Sequence, residues 1–440
     1  MSFVNLIPSE LLGEIFRACI AIQEKPTILP NTAPLHLTHV CGHWRTVAIS
    51  MSILWMNLNI TISYRVPIPA LPLLRLWVDR SRLQPLTVSV EADDFLSLPL
   101  HSIKRVKQTL NFLSSTSARW KTVAFALPGN HRLLRGIIPA HGAPILERLM
   151  LTVHACENKE IDDINFLLQN APSLRHFSWE SRASWGSWDT VYEGRLHALQ
   201  APYQVLTSLV LNTWCAFETA YLILRQCHKL NSLELLHFGG EAITDFSPYP
   251  TIRTELTSLT LYQHVPNGGL GSLFHILICP KLKRFSLTMG WPGNWAQSQF
   301  NSFILRSMCP LQVLFLEFTC IAEDQLIQCL RHSSSSLKEL HVHECTDDIF
   351  VTDRLLETLT YLPTIRELVC PGLEVLYMTR PFDSTDGALA RMLHSRTVQV
   401  AAGTTFCARL KQLDVYIKGC PAKNKVDLQY LKKLDDSKAS

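Results

Sequence analysis

Leu337-Lys338-Glu339-Leu340-His341-Val342-His343-Glu344-Cys345 is the stretch on which the fold turns. Its apolar residues stand at 337, 340 and 342, and the alternation through 339–343 is that of a strand whose successive side chains point to opposite faces. The same spacing, with aromatic, valine or methionine replacements, starts at Trp120, Leu146, Leu174, Leu206, Leu230, Leu256, Leu282, Leu311, Leu337, Leu373 and Leu410. Successive intervals are 26, 28, 32, 24, 26, 26, 29, 26, 36 and 37 residues, so eight of ten fall between 24 and 32. Chance clustering of leucines does not hold such a period.

Most hexamers are followed by a helical pattern, such as Phe300, Phe303, Ile304 and Met308 before Pro310, or Leu326, Ile327 and Leu330 before Leu337. A strand plus a helix cannot bury its apolar face alone, and stacking of units supplies the core. Each buried leucine or valine contributes roughly 1.5–3 kcal/mol, so three per strand add several kcal/mol per unit before entropy is subtracted. The predicted fold class is α/β: a leucine-rich-repeat horseshoe over 120–420, parallel strands inside and helices outside. Only the unit at Leu337 ends in the full pattern, at Cys345; His154, Trp214, Phe238, His264, Gly290 and Thr319 occupy that position elsewhere, which predicts irregular turns. Residues 56–119 read as strand, helix, strand and a first irregular repeat, with Leu73, Leu74, Trp77 and Val78 inward on the helix. The segment 421–440 is a charged tail, expected to form at most a frayed helix.

Residues 1–55 hold two further apolar patterns. The first is Leu6-Ile7-Pro8-Ser9-Glu10-Leu11-Leu12-Gly13-Glu14-Ile15-Phe16, with a helical stripe at 11, 12, 15, 16 and 19 and a proline where the first turn tolerates one. The second is Leu37, Val40, Cys41, Trp44, Val47 and Ala48, ending in Leu54-Trp55. Two such helices, expected near 9–20 and 36–49, are too short to close a core of their own. Pro26, Pro30 and Pro34 make the link between them a loop.

These residues resemble an F-box, in the wording common among F-box proteins of mushroom-forming fungi that carry leucine-rich repeats. The resemblance covers Leu6 to Trp55; the long link at 24–34 departs from compact F-boxes. It implies a non-catalytic substrate-recognition adaptor of an SCF-type cullin–RING ubiquitin ligase. The residues it assigns to a Skp-type linker are Leu6, Ile7, Pro8, Leu11, Leu12, Ile15, Phe16, Leu37, Val40, Cys41 and Trp44, while the repeats hold a protein target for ubiquitin-dependent degradation. The alternative is a non-ligase repeat scaffold whose N-terminal helices only cap the array.

Composition narrows the rest. With 47% hydrophobic residues the chain can build a large core. A net charge of +4, from 41 basic and 37 acidic residues, leaves no footprint for nucleic acid. No apolar run suits a membrane span, and Glu10 and Glu14 stand where a signal peptide would be apolar, so a soluble cytoplasmic or nuclear chain is expected. Thirteen cysteines lie singly, without a Cys-x-x-Cys pair, and read as small buried residues in a reducing compartment. No Gly-x-Gly-x-x-Gly, P-loop, His-Glu-x-x-His or Gly-x-Ser-x-Gly motif is present. His341, His343 and Cys345 make an incomplete ligand set, so neither metal nor cofactor is expected.

The better functional candidates are the outward strand positions, which parallel strands set side by side. They are Met150, Val210, Leu236, Tyr262, Phe315, His341, His343, Tyr377 and Tyr416, with Glu180, Glu234, Arg284, Glu317 and Glu339 among them. Aromatic and apolar residues with few charges suit a protein partner. Trp185, Trp188, Trp291 and Trp295 sit in segments that break the period; they are expected to pack on the rim or outer surface, or to border the partner site.

Overall fold

The computed structural model describes residues 7–22, 28–29, 31–63, 68–92, 100–127, 133–139, 141–154, 158–182, 196, 198–240, 243–263, 269–290, 295–343, 351–361, 368–381, 383–397, 407–418 and 424–439. The chain divides into two compact units, Met1–Thr213 and Trp214–Ser440.

The first unit opens with helices α1 (Ser9–Ala21) and α2 (Gly42–Ser50). It continues with β1 (Asn57–Ile62), α3 (Leu71–Arg80), β2 (Leu86–Ala92), α4 (Leu100–Ser114), β3 (Trp120–Leu127), β4 (Arg148–His154), α5 (Asn158–Gln169), β5 (His176–Arg182) and β6 (Ser208–Ala216). These strands pair parallel in chain order, with Leu58, Val88, Val123, Leu149, Phe177 and Leu209 in one register row.

The second unit runs α6 (Phe217–Gln226), β7 (Ser232–Gly239), β8 (Ile252–Arg253), β9 (Ser258–Gln263), α7 (Leu270–Ile276), β10 (Leu277–Ile278), β11 (Arg284–Met289), α8 (Gln297–Ser307) and β12 (Val313–Glu317). It ends with α9 (Glu323–His332), β13 (Glu339–His343), α10 (Asp353–Leu359), β14 (Val375–Pro381), α11 (Ala388–Thr397), β15 (Gln412–Lys418) and α12 (Lys425–Ala439). Leu233, Leu259, Phe285, Leu314, Leu340, Leu376 and Leu413 form its corresponding row, while β8 and β10 pair only with each other. Among the described residues the fold is thus mixed α/β, with thirteen parallel ladder strands and twelve helices, the arrangement from which an α/β horseshoe is built.

From β4 onward, each ladder strand starts two residues after the leading leucine of its hexamer, as Arg148 follows Leu146 and Gln412 follows Leu410. The inward residues are fully buried; Leu337, Leu340 and Val342 have no exposed surface. One carbonyl per unit then fixes the register of the next: Gln312 O accepts from the N–H groups of Lys338 and Glu339 at 2.8 and 2.9 Å, and Lys338 O from Glu374 and Val375 at 2.8 and 3.0 Å. In six units the chain turns, three residues before the leading leucine, on a small buried residue: Ala143, Ala171, Cys227, Cys279, Cys370 and Cys407. That turn is where four of the ten described cysteines lie, and none of the ten is in a disulfide.

Three local expectations change. Pro8 lies just before α1 rather than in its first turn, its carbonyl accepting the Leu12 N–H at 3.0 Å. The second N-terminal pattern is not one helix: a short turn at His36–His39 precedes α2, and extended Cys41 separates them, its sulfur accepting the Trp44 N–H at 3.5 Å. The charged tail is a docked helix rather than a frayed one. Asp427 of α12 is buried and accepts the Ala390 N–H at 2.7 Å, and Asp386 in turn accepts the N–H of Val426 at 2.9 Å. Those tertiary hydrogen bonds supply what its weak apolar pattern does not.

Candidate functional site

Two surfaces carry the functional candidates, one in each unit. The first is α1. Its Leu12 and Phe16 face packs toward α2 and the turn at Ser52–Trp55, with the Phe16 and Trp44 rings 5.1 Å apart edge to face. Leu37 is buried in the same small core. Leu11, Ile15 and Ile22 are left 59, 42 and 82% exposed, and Val40 is 48% exposed. At 3.6 residues per turn, 11, 15 and 22 fall within about 40° of one another, and 12 and 16 lie roughly 100° further round. A molecule laid against this helix as it stands meets Leu11 and Ile15 and does not reach Leu12, Phe16 or Leu37. Ile7, Cys41 and Trp44 are half-buried and Pro8 is exposed; Leu6 lies outside the described residues.

On its other side the N-terminal box is joined to the sheet. Trp55 is fully buried, its ring 5.0 Å from that of Trp77 on α3 and 4.5 Å beneath the Arg80 guanidinium. Its indole N–H donates to Ala48 O at 2.8 Å, and that of Trp77 to Asn57 O at 3.1 Å. The helices therefore turn one apolar face to their own chain and one to solvent.

The second surface is the outward face of the second unit's sheet. Four residues after each leading leucine comes a row of Glu234, Thr260, Ser286, Phe315, His341, Tyr377 and Asp414, neighbours across successive strands. Two residues further, Tyr262, Thr288, Glu317, His343, Thr379 and Tyr416 form the next. Phe315 stands 5.6 Å from both His341 and His343, and His341 stacks on Tyr377 at 4.6 Å. The polar groups are tied sideways: Thr288 Oγ1 donates to Glu317 at 3.0 Å, Tyr377 Oη donates to Gln412 at 3.3 Å, and His343 Nδ1 lies 3.1 Å from Thr379 Oγ1.

The structure thus brings Phe315, His341, His343 and Tyr377 together. Tyr262 is 6.1 Å from the His237 ring and Leu236 is half-buried on β7. Met150 and Val210 share the corresponding row of the first unit, and Glu180 accepts from Thr152 there at 3.0 Å. Tyr416 pairs with Thr379 in the ladder, though its side chain lies outside the described residues. Asp414 and Gln412 are not among the sequence candidates, yet Asp414 follows Leu410 at the spacing by which Tyr377 follows Leu373, and the same register counting finds it. Trp295 is buried against Phe300 at 4.9 Å, while Trp185, Trp188, Trp291 and Cys345 lie outside the described residues.

Burial holds the His341 imidazole below its usual value; Glu339, 3.7 Å away, works to raise it, and His343 and Arg284 lower it further. A depressed folded pKa makes this contribution to stability complete above the ordinary value of 6.5, and it is lost as pH falls through the folded one. Burial pushes the thiols of Cys227, Cys279, Cys329 and Cys370 up to about 12 and that of Cys309 to about 11, which makes these five poor nucleophiles. Among the described residues no group of three or more His, Cys, Asp or Glu is placed to hold a metal, and no helix is long and apolar enough to cross a membrane. What the arrangement offers is a rigid, half-polar aromatic surface for contact. The chain matches no protein-family model, and no curated protein matches it.

Proposed function

We propose that this chain is the substrate-recognition adaptor of an SCF-type ubiquitin ligase, its N-terminal helices engaging a Skp-type linker and its repeats holding a protein target in the cytoplasm or nucleus. The observation that carries the reading is the second apolar face of α1: Leu11 and Ile15 lie exposed on a helix whose other face is already filled, with exposed Ile22 just past its end. Covering them contributes roughly 25 cal/mol for each Å² of apolar surface removed from water, reason enough for a partner to sit there. In this reading the chain makes and breaks no bond. It raises the local concentration of target lysines near the ubiquitin-carrying partner.

The test is capture of purified Skp-type linker by wild type, by Leu11→Asp with Ile15→Asp, and by Leu222→Asp, an exposed leucine on α6. Wild type and Leu222→Asp are expected to bind alike and the double variant at least about tenfold more weakly, the scale of losing one interface hot spot. Equal capture by all three counts against the reading. A second reading, a scaffold capped by its own N-terminal helices, draws on the burial of Trp55 against Trp77. It predicts no linker capture by any of the three.

A further inference from the structure

The outward face of the second unit is polarised in charge. Its cations stand near the start of the strands: Arg284, two residues after its leading leucine in a row that also holds Glu339, and Lys283, Lys338 and Lys411 on the turns before it, with Lys411 paired to Glu374 at 2.8 Å. In the two rows beyond, the charged side chains among the described residues are Glu234, Glu317 and Asp414, with no lysine or arginine. The same rows carry Tyr262, Phe315 and Tyr377. Phe315, His341 and Tyr377 follow one another on neighbouring strands, and His341 stacks on one face of Tyr377. The other face is not covered by His341; the hydroxyl donates to Gln412 on β15, the strand on which exposed Asp414 is the register neighbour of Tyr377.

A planar cation laid on that face meets the π-surface on one side and a carboxylate beside it, a combination that guanidinium satisfies better than any other side chain. From Glu234 to Asp414 there are six strand steps, about 29 Å at ~4.8 Å each, or roughly nine residues of extended chain. We propose that these two rows bind a basic, arginine-bearing extended segment of the target protein, with one guanidinium seated between Tyr377 and Asp414. That the occupant is a target to be modified rests on the adaptor reading; the charge and ring geometry do not.

The test uses the full chain and a fluorescein-labelled nonapeptide with arginines at alternate positions on a glycine–serine background. Matched peptides carry glutamate or phosphoserine at those positions, and binding is read by anisotropy. The arginine peptide is expected to bind at least about tenfold tighter than either acidic one, with affinity that falls as salt rises. Asp414→Asn with Glu317→Gln should weaken it about tenfold, and Tyr377→Leu should weaken it with the circular dichroism unchanged. Preference for an acidic peptide, absence of binding, or indifference of the arginine peptide to these substitutions overturns the proposal. Linker capture measured on the same samples separates the two ideas: peptide binding without capture sinks the adaptor reading alone, and capture without peptide selectivity sinks the basic-segment proposal alone.

Discussion

Arg396 has no exposed surface, yet each guanidinium nitrogen donates to a carbonyl: to Leu359 at the end of α10, to Cys370 at 2.9 Å and to Val369 at 2.8 Å. The Leu359 carbonyl lies where α10 runs out of its own donors and the dipole favours a cation, and the other two belong to the turn before β14. Arg306 does the same for Phe274, His275 and Leu277 around the end of α7, and Arg119 for Val78 and Gln84 after α3. A buried acceptor left without a partner costs about 1–3 kcal/mol. Arg396→Ala is therefore expected to lower the stability of the second unit by about 3 kcal/mol or more, read as a shift in its denaturant midpoint, with Arg396→Lys recovering only part. A change below about 0.5 kcal/mol would mean that water replaces the guanidinium freely.

At the scale of elements, the helix starts of the second unit are held by acids from neighbouring units. Glu323 of α9 accepts from the N–H groups of Thr352 and Leu355 at 2.7 and 3.3 Å, Asp353 of α10 from Thr385 at 2.8 Å, and Asp386 and Asp427 exchange caps between α11 and α12. Bonds from Thr385 hold the Asp353 carboxyl below its usual value, so its contribution is lost only as pH falls through that lowered pKa. Asp427 differs, since burial pushes its carboxyl up against the pull of the Ala390 N–H. Removing a cap costs about 0.5–2 kcal/mol. Asp386→Ala and Asp427→Ala are each expected to speed amide hydrogen exchange in α12 and the first turn of α11 while leaving β11–β13 unchanged. Unaltered exchange in α12 would show that its apolar contacts alone retain it.

At the scale of the molecule, the N-terminal helices pack on their own chain through one face and leave Leu11 and Ile15 exposed on another, and truncation separates the two. A chain lacking residues 1–50 keeps Trp55 over Trp77 and is expected to retain the parallel sheet of the first unit, with a lower unfolding midpoint. Trp55→Ala in the full chain removes the wedge itself and is expected to cost about 3–5 kcal/mol. If the truncated chain were as stable as the full one, the array would owe nothing to the box. Much of this architecture was legible beforehand: each leading leucine from Leu146 to Leu410 places a strand two residues later, because burial of alternate side chains is a local, periodic demand. The site was legible to the same depth, as rows at fixed offsets, and register counting extends it to Asp414.

What the sequence determined alone was therefore the repeat, the strand positions and the residues turned outward, all set by hydrophobic spacing within a few residues. Only the tertiary structure decided that Leu12 and Phe16 are spent on the chain's own core while Leu11 and Ile15 are not, that Arg396 and Asp427 find buried partners, and that Tyr377 stacks on His341 while its hydroxyl reaches Gln412. Those outcomes depend on groups that stacking brings together across most of a repeat or more. Spacing along the chain carries no record of which of two helix faces such a neighbour will cover.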